Sequence, residues 1–305
     1  MSSAIPRWIS VALLGALGAW SPARGETINC IHITNALMPY TISTPGVYCV
    51  TEKITTNLAS GAAITINANN VVLDLNSFAI GNLGAGASTS ALGIYAVDRQ
   101  NIVIRDGTLR GFWIAVALVD GVTAGGTTSN SSGHAVNAVV SDQSYGAGIV
   151  VQGPGTVVTG SRVVNTQGST ATNALLAALS GDGATGIFVS GSGARVTNSA
   201  VLNTDCSNGC TASAAKVRGI QVSGAPGAVI AQNFVANAAM TAVTDARALD
   251  VKISSADVFV DSNVFTTWPL GISFDSTSTG VYLNNGLLNV TTPASGGVAV
   301  GTTNY

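Results

Sequence analysis

Short runs in which apolar and polar residues alternate recur along the chain, separated by Gly, Ser, Asn or Asp. The clearest copy spans residues 186–202 and begins with Gly-Ile-Phe-Val, and weaker copies begin at positions 219, 248 and 271. Alternation with a period of two predicts strands that each bury one face. Because three such short strands cannot form a core alone, the pattern predicts coils that stack into a solenoid with one continuous interior.

Eight coils are predicted, and residues 297–300 are expected to begin a ninth. The first strands of these eight coils begin near residues 63, 93, 113, 148, 186, 219, 248 and 271. In the clearest copy the alternation turns Ile187, Val189, Val196 and Val201 inward and Phe188, Ser190 and Arg195 outward. The fold class is therefore predicted to be all-β, a parallel β-helix of about eight to nine coils.

Turn-forming residues recur between the second and third strands of the coils. Residue pairs that contain Gly, Asn or Asp, which tolerate left-handed backbone angles, occupy 106–107, 142–143, 160–161, 198–199, 232–233, 262–263 and 285–286. A second row follows the third strand, at Asn82, Asn165, Asn203 and Asn237. Asparagines stacked in register can bond one another's amides, so this row is expected to form a ladder.

The N-terminal residues do not follow the repeat. Arg7, an apolar run from Ile9 to Trp20 and small residues at 23–25 predict a secretory signal peptide over residues 1–25. The run is too short for a membrane span, and cleavage is expected near Glu26. Residues 26–56 are interpreted as N-terminal cap strands, and residues 57–305 as the β-helix domain.

Composition supports an exported protein of modest charge. The 305 residues are 47% hydrophobic and only 9% charged. Without Arg7 and Arg24, 10 basic residues face 14 acidic ones, a net charge of −4, which argues against nucleic acid and anionic membranes as partners. The four cysteines are most economically paired as two disulfides, Cys30–Cys49 and Cys206–Cys210, among three possible pairings. No ligand set for a metal accompanies them.

The whole pattern of Gly-Ile-x-Val, a turn, a second strand, Asn and a third strand resembles the pectin-lyase-like superfamily of right-handed parallel β-helices. The resemblance covers about residues 57–300, and residues 69–76 and 101–109 are typical of its secreted bacterial members. It implies a right-handed solenoid whose ligands lie along the outer face of the first strands. The superfamily includes lyases, hydrolases, adhesins and phage tailspikes, so the fold does not fix the reaction.

The catalytic motifs of two such families are incomplete in this chain. Asn203-Thr-Asp205 matches the first polygalacturonase motif, but no two Asp residues are adjacent, and Lys216-Val-Arg218 reverses the order of the last motif. Pectate lyases hold Ca²⁺ on clustered acids, whereas the first strands here carry only Asp250 and Asp275. No cofactor is therefore expected apart from a weak Ca²⁺ site, and enzymatic activity is left undecided. His32 and His134 are both expected to be surface residues.

One concentration of charge stands out on two adjacent coils. The predicted substrate-binding residues are Lys216, Arg218, Asp245, Arg247, Asp250 and Lys252, with Phe188 and Gln221 as the adjacent floor. Equal offsets from the coil starts predict that Arg218 and Arg247 lie side by side. Arginine pairs suit the carboxylates of an acidic sugar. The alternative is a purely structural ladder of exposed ion pairs, Lys216 with Asp245 and Lys252 with Asp250.

Three functional hypotheses follow. The first is a secreted, periplasmic or extracellular protein that binds, and in one version cleaves, an acidic polysaccharide or other extracellular glycan on its strand-one face. The second is a non-catalytic surface module or adhesin. The third is a structural protein that self-associates through its C-terminal coil, since an uncovered strand edge can pair with another chain.

Overall fold

The structure is a computed structural model that describes residues 29–123, 126–169, 183–210, 216–238, 243, 245–301 and 304. The predicted signal peptide over residues 1–25 and its cleavage near Glu26 lie outside these residues. Within the described part of the chain, no helix has the length and apolar character that crossing a bilayer requires.

Parallel strands stack into three sheets that run along one body. Sheet one contains Tyr40–Ile42, Ala62–Ile66, Leu92–Val97, Ile114–Val119, Ala147–Val151, Ala184–Ser190, Lys216–Ser223, Asp245–Lys252 and the last residues of Val264–Phe274 and Gly286–Ser295. Sheet two contains Ile31–Ile33, Gly46–Val50, Val71–Asp74, the first residues of Ile102–Arg110 and Ala135–Asp142, Val157–Thr159, Arg195–Thr197, Val229–Ala231, Val258–Asp261, Gly280–Leu283 and Val298–Ala299.

Sheet three completes each coil. It contains Ile54–Thr55, Ala79–Gly81, the last residues of Ile102–Arg110 and Ala135–Asp142, Arg162–Thr166, Ala200–Thr204, Phe234–Ala236 and the first residues of Val264–Phe274 and Gly286–Ser295. Short 3-10 helices occupy Asn35–Leu37 and Leu83–Ala85, and Val122–Thr123 pairs antiparallel with Gly126–Thr127. The predicted all-β parallel β-helix is therefore confirmed.

The coils follow from the order of the strands. Successive coils occupy residues 40–55, 62–81, 92–110, 114–142, 147–166, 184–204, 216–236, 245–266 and 270–288, and residues 292–299 give two strands of a tenth coil. The strands of residues 40–55 pair in register with those of residues 62–81, so the stack already begins inside the segment interpreted as a cap. The placement of 297–300 as a first strand is wrong, because Val298 pairs with Val281 in sheet two.

The interior follows the predicted alternation. Ile187, Val189, Val196 and Val201 are fully buried, whereas Arg195, beside Val196, is exposed. Each inward residue packs against its counterparts in the coils before and after, since Val196 lies between Val158 and Ile230. Burial of this single column removes apolar surface from water at every coil, which stabilises the stack.

The glycine that opens the Gly-Ile-x-Val repeat is required by close approach between coils. A Cβ on Gly186 would lie 2.4 Å from Cγ1 of Val201 and 2.5 Å from the carbonyl oxygen of Gly219 in the next coil. The same position in the next coil, Gly219, meets Val235 and the carbonyl oxygen of Ala248 at 2.4 and 2.5 Å. Glycine therefore lets the corner before sheet one pack at the normal spacing of a coil.

The turn between sheets two and three adopts left-handed backbone angles at Asp106, Gly160, Asn198, Gln232 and Ser262, as predicted. Two predicted turns are misplaced. The fourth coil turns at Ala138 rather than at 142–143, and the ninth at Asn284, one residue early. Coil four departs because its turn uses alanine, a residue that gives no sequence signal for a left-handed angle.

Asparagines that follow this turn form a buried ladder. Nδ2 of Asn233 donates to Oδ1 of Asn263 at 2.9 Å, and Nδ2 of Asn263 donates to Oδ1 of Asn285 at 3.0 Å. In the row that was predicted to be the ladder, Nδ2 of Asn203 donates to Oδ1 of Asn165 at 3.3 Å, whereas Asn82 bonds the backbone of residue 58 instead. Both rows satisfy polar groups at tight bends.

Both predicted disulfides are present. Cys30 pairs with Cys49 and Cys206 with Cys210, and the Cα atoms of each pair are 5.7 Å apart. Cys30 is the residue before the first described strand, while Cys206 and Cys210 lie just after the third strand of coil six. The Cys30–Cys49 bridge therefore links the segment before the first described strand to the strand Gly46–Val50, whereas Cys206–Cys210 closes a local turn.

Candidate functional site

The outward positions of sheet one form a single column. Strand pairing places Thr65, Tyr95, Ala117, Val150, Phe188, Gln221, Asp250 and Ser273 in register, one per coil. Ala117 is the outward residue of coil four, between Tyr95 and Val150. The column begins with the polar Thr65, is apolar or aromatic in coils three to six, and becomes polar again from coil seven onward. The change in character marks where the candidate site begins.

The apolar part of this column is not an open ligand face. Phe188 is only 4% exposed and packs in a cluster outside the interior with Trp113, Tyr145 and Val150. Gln221 is also buried. The expectation that Phe188 and Gln221 form an exposed floor is therefore wrong, because the outer face of sheet one is itself covered at these coils.

Four charged side chains on coils seven and eight form a closed ring, here called the Arg–Asp ring. Arg218 and Arg247 are register partners on neighbouring strands, as predicted. Nε of Arg218 donates to Oδ2 of Asp250 at 2.7 Å, and its Nη2 donates to Oδ2 of Asp245 at 2.7 Å. Arg247 donates to the other oxygen of each carboxylate, from Nε to Asp245 and from Nη1 to Asp250, both at 2.8 Å.

This arrangement corrects the pairing expected from the sequence. Asp245 and Asp250 each pair with both arginines, whereas pairs with Lys216 and Lys252 were expected. The two carboxylates balance the charges of the two guanidinium groups, so the ring is neutral. Arg218 and Arg247 can therefore lie in register without an added anion between them. Because the side chains of Arg218 and Asp250 are each 2% exposed, these are not the weak exposed ion pairs that were expected.

The ring has a buried half and an exposed half. Asp245 and Arg247 keep 29% and 27% of their side chains exposed, in contrast to their buried partners. Nη1 of Arg247 also donates to Oγ of Ser273 at 2.9 Å. The role of Ser273 was missed from sequence, although its spacing from the coil start, which places it in register with Asp250, could have suggested the contact.

The environment fixes the charge of the exposed half. Burial raises the pKa of Asp245, but hydrogen bonds and positive charge from Arg218 and Arg247 outweigh it, so the pKa lies below its ordinary value. Burial lowers the pKa of the Arg247 guanidinium, but Asp250 and Asp245 outweigh this and raise it. Asp245 therefore stays ionised and Arg247 stays protonated at neutral pH, which suits neither a general acid nor a general base.

Two lysines flank the ring. Lys216 is half-buried and lies in register with Asp245. Among the residues that the structure describes, it takes part in no ion pair. Lys252 is also half-buried and lies in register with Ser223, at the other end of the same strands. Lys216 therefore adds a positive charge beside Asp245, at one end of the ring.

Other candidate groups lie elsewhere. Within the described ranges, the one cluster of three potential metal ligands is Cys30, His32 and Cys49, and its two cysteines are joined in a disulfide. His32 is exposed, as predicted, but His134 is only 1% exposed, so the prediction of a surface histidine there is wrong. His134 directly precedes a strand of sheet two and accepts a hydrogen bond at Nδ1 from the backbone N–H of Ile102.

No protein-family model matches this chain, and no curated protein matches it. Two solved structures have a backbone path similar to that of this chain. The enzymatically active domain of tailspike protein 2 of bacteriophage CBA120 is 13% identical, with a TM-score of 0.47, and the likeness covers 85% of this chain and 43% of that one. A tailspike protein of E. coli bacteriophage HK620, in complex with a hexasaccharide, is 11% identical, with a TM-score of 0.39, over 87% of this chain and 53% of that one.

The chain thus spans about half or less of the length of these two structures. At such low identity the likeness concerns the path of the backbone, and site residues do not transfer from one chain to the other. The chain's own strand pairing establishes it as a parallel β-helix.

Proposed function

We propose that the exposed side of the Arg–Asp ring binds an acidic polysaccharide or other extracellular glycan. The observation that carries this proposal is the division of the ring: Asp245 and Arg247 are partly exposed, whereas Arg218 and Asp250 behind them are buried. A donor and an acceptor are thereby held in one fixed geometry at the surface. Binding to such a preorganised pair does not require further ordering of long side chains.

The remaining hydrogen-bonding capacity of the pair suits sugar hydroxyls. Arg247 has five N–H donors, and its contacts with Asp245, Asp250 and Ser273 occupy four of them. The fifth, on Nη2, is left for a ligand. Oδ1 of Asp245 accepts one hydrogen bond and can accept a second, whereas Oδ2 already accepts two. Of two neighbouring hydroxyl groups on a sugar, one can therefore donate to Oδ1 of Asp245 while the other accepts from Nη2 of Arg247.

Charge favours an acidic sugar over a neutral one. Arg218 and Arg247 balance Asp245 and Asp250 within the ring, so the end of the ring beside Lys216 carries a surplus positive charge. The surplus charge comes from Lys216, beside Asp245 on the neighbouring strand. At this end of the Arg–Asp ring, the carboxylate of the sugar contacts Lys216. The hydroxyl groups of the same sugar contact Asp245 and Arg247.

We propose binding without cleavage at the ring. Hydrolysis requires a carboxylic acid that can donate a proton, and the lowered pKa of Asp245 removes that capacity near neutral pH. Elimination requires a base, and the raised pKa of Arg247 keeps that side chain protonated. Export, which the two disulfides favour, would place the protein where such glycans occur. The weak Ca²⁺ site remains a prediction.

Replacing Lys216 by glutamine tests the proposal. We expect the variant to bind an oligogalacturonate about tenfold more weakly than wild type, because one charge-assisted contact is lost. Affinity for a neutral oligosaccharide of equal length should be low and unchanged. Isothermal titration at two salt concentrations measures both, and the difference between the proteins should shrink at high salt.

The matched control is Arg195→Gln, which removes an exposed cation from sheet two, away from the ring. It should bind like wild type. Equal losses in both variants would point to a diffuse effect of net charge, and absence of binding by wild type to any acidic glycan would overturn the proposal.

A second candidate function is self-association through the C-terminal coils. No charged residue follows Asp275 in the sequence, and Leu288 and Val298 in the last coils are 56% and 60% exposed. Exposed apolar side chains on strands without charged residues favour contact with a second copy. Sedimentation velocity over a hundredfold range of concentration should show a rising mass that Leu288→Lys abolishes, and a constant mass would exclude it.

A further inference from the structure

The Cys206–Cys210 bridge lies at one end of the candidate site. It closes a tight turn just after the third strand of coil six, in which the backbone N–H of Gly209 donates to the carbonyl of Cys206 at 2.9 Å. The two cysteines are only four positions apart in sequence. A cross-link over so short a loop removes little entropy from the unfolded chain, so it contributes less to global stability than a long-range bridge.

The bridge instead packs directly on the backbone of neighbouring segments. A Cβ on Gly183 would lie 2.4 Å from Sγ of Cys210 and 2.9 Å from Sγ of Cys206. A Cβ on Gly168 would lie 2.7 Å from Sγ of Cys210. Glycine at both positions lets the sulfur atoms occupy the space of a side chain, and the bridge thereby fits between the end of coil five and the beginning of coil six.

Hydrogen bonds hold the same turn against coil five. The backbone N–H of Asp205 donates to the carbonyl of Thr166 at 2.8 Å, and that of Asn208 donates to the carbonyl of Gln167 at 2.9 Å. The turn is therefore held by backbone contacts on one side and presses its sulfur atoms against Gly183 on the other. Both bridged cysteines lie close to both glycines, and the sulfur atom of Cys210 is the nearest atom to each.

Gly183 connects the bridge to the ring. Its backbone N–H donates to the carbonyl of Lys216 at 2.8 Å, and Lys216 is the register partner of Asp245. The next residues along these strands, Thr185 and Arg218, are likewise register partners. A series of contacts thus runs from the bridge to Gly183, from Gly183 to Lys216 in the next coil, and from Lys216 to Asp245 in the coil after that. These residues lie at the start of the strands of sheet one.

We propose that the Cys206–Cys210 disulfide is a redox-controlled positioning element for the Lys216 end of the Arg–Asp ring. Intact, it fixes Gly183 and through it Lys216 beside Asp245. An external dithiol reduces it by thiol–disulfide exchange: the S–S bond breaks, Cys206 and Cys210 become thiols, and the dithiol is oxidised to its own disulfide. The sulfur atoms then separate, Gly183 loses its support, and affinity for the glycan falls. The last step rests on the proposed function.

Two proteins test this inference. Cys206→Ala with Cys210→Ala removes the bridge, and Cys30→Ala with Cys49→Ala leaves it as the one disulfide that a dithiol can reduce. Amide hydrogen exchange at Gly183 reports the coupling without any ligand, with the amide of Val157, which donates to the carbonyl of His134, as the internal control. Titration with an oligogalacturonate measures the affinity of the Arg–Asp ring for the glycan. Alkylation followed by mass spectrometry counts the free thiols.

Loss of the bridge, by substitution or by reduction, is expected to speed exchange at Gly183 at least about tenfold, with little change at Val157. Affinity for the oligogalacturonate should fall by a similar factor, and reoxidation should restore both. Unchanged exchange at Gly183 after complete reduction overturns the inference. If wild type binds no acidic glycan, the proposed function fails, and exchange at Gly183 still decides whether the bridge positions the Lys216 strand.

Discussion

Asp250→Asn is expected to lower the free energy of unfolding by about 3–5 kcal/mol, the cost of removing one partner from a buried ion pair. Asn keeps the size of the side chain but removes its charge, so Arg218, only 2% exposed, retains Asp245 as its one carboxylate partner. The amide also presents N–H donors to two guanidinium groups, which offer no acceptor. Urea unfolding followed by circular dichroism measures the change.

The matched control is Asp257→Asn, the same chemical change at an exposed residue of coil eight. We expect its effect to stay within about 0.5 kcal/mol, as for ordinary surface substitutions. A double variant, Arg218→Met with Asp250→Leu, removes one positive and one negative charge and leaves Arg247 paired with Asp245. It should be more stable than Asp250→Asn alone, because no buried charge is left without a partner. Equal effects of Asp250→Asn and Asp257→Asn would contradict a structural role for the ring.

Acidification is expected to destabilise the protein by about 3 kcal/mol through His134 alone. Burial lowers the pKa of His134 from 6.5 to about 4, since its apolar surroundings disfavour the charged imidazolium. Between these two pH values the unfolded chain binds a proton that the folded protein excludes. Stability is therefore full above about pH 6.5 and falls until about pH 4, by about 1.4 kcal/mol for each unit of difference in pKa.

His134→Asn separates this effect from the titration of carboxylates. Its Oδ1 can accept the hydrogen bond from Ile102 that Nδ1 of His134 accepts, yet it carries no titrating proton. Unfolding free energies of this variant should decline less steeply than those of wild type between pH 6.5 and 4. The control His32→Asn, at an exposed position, should follow wild type. Identical slopes for wild type and His134→Asn would show that His134 is not excluded from protonation by folding.

The sequence alone was sufficient for the repeat, the inward register and both disulfides. These features depend on local rules: alternation places Val196 inward and Arg195 outward, and left-handed turns select residues such as Asn198 and Gly160. Register between coils also follows from local spacing, so the pairing of Arg218 with Arg247 could be predicted from their equal offsets. A repeat makes such offsets informative, because each coil pairs only with its neighbours.

Only the tertiary structure decided which outward residues are exposed and how the charges pair. The alternating pattern places Phe188 on the outer face of sheet one, but it does not show which residues cover that face. Phe188 is buried because other residues of its cluster pack against it. His134 lies in the loop directly before a strand, where the sequence indicates an exposed position, yet it is buried. The carboxylates of Asp245 and Asp250 each reach both guanidinium groups, which requires side-chain directions that strand spacing does not contain. Periodicity fixes the face of a strand on which a residue lies, whereas burial and ion pairing depend on everything else that packs against that face.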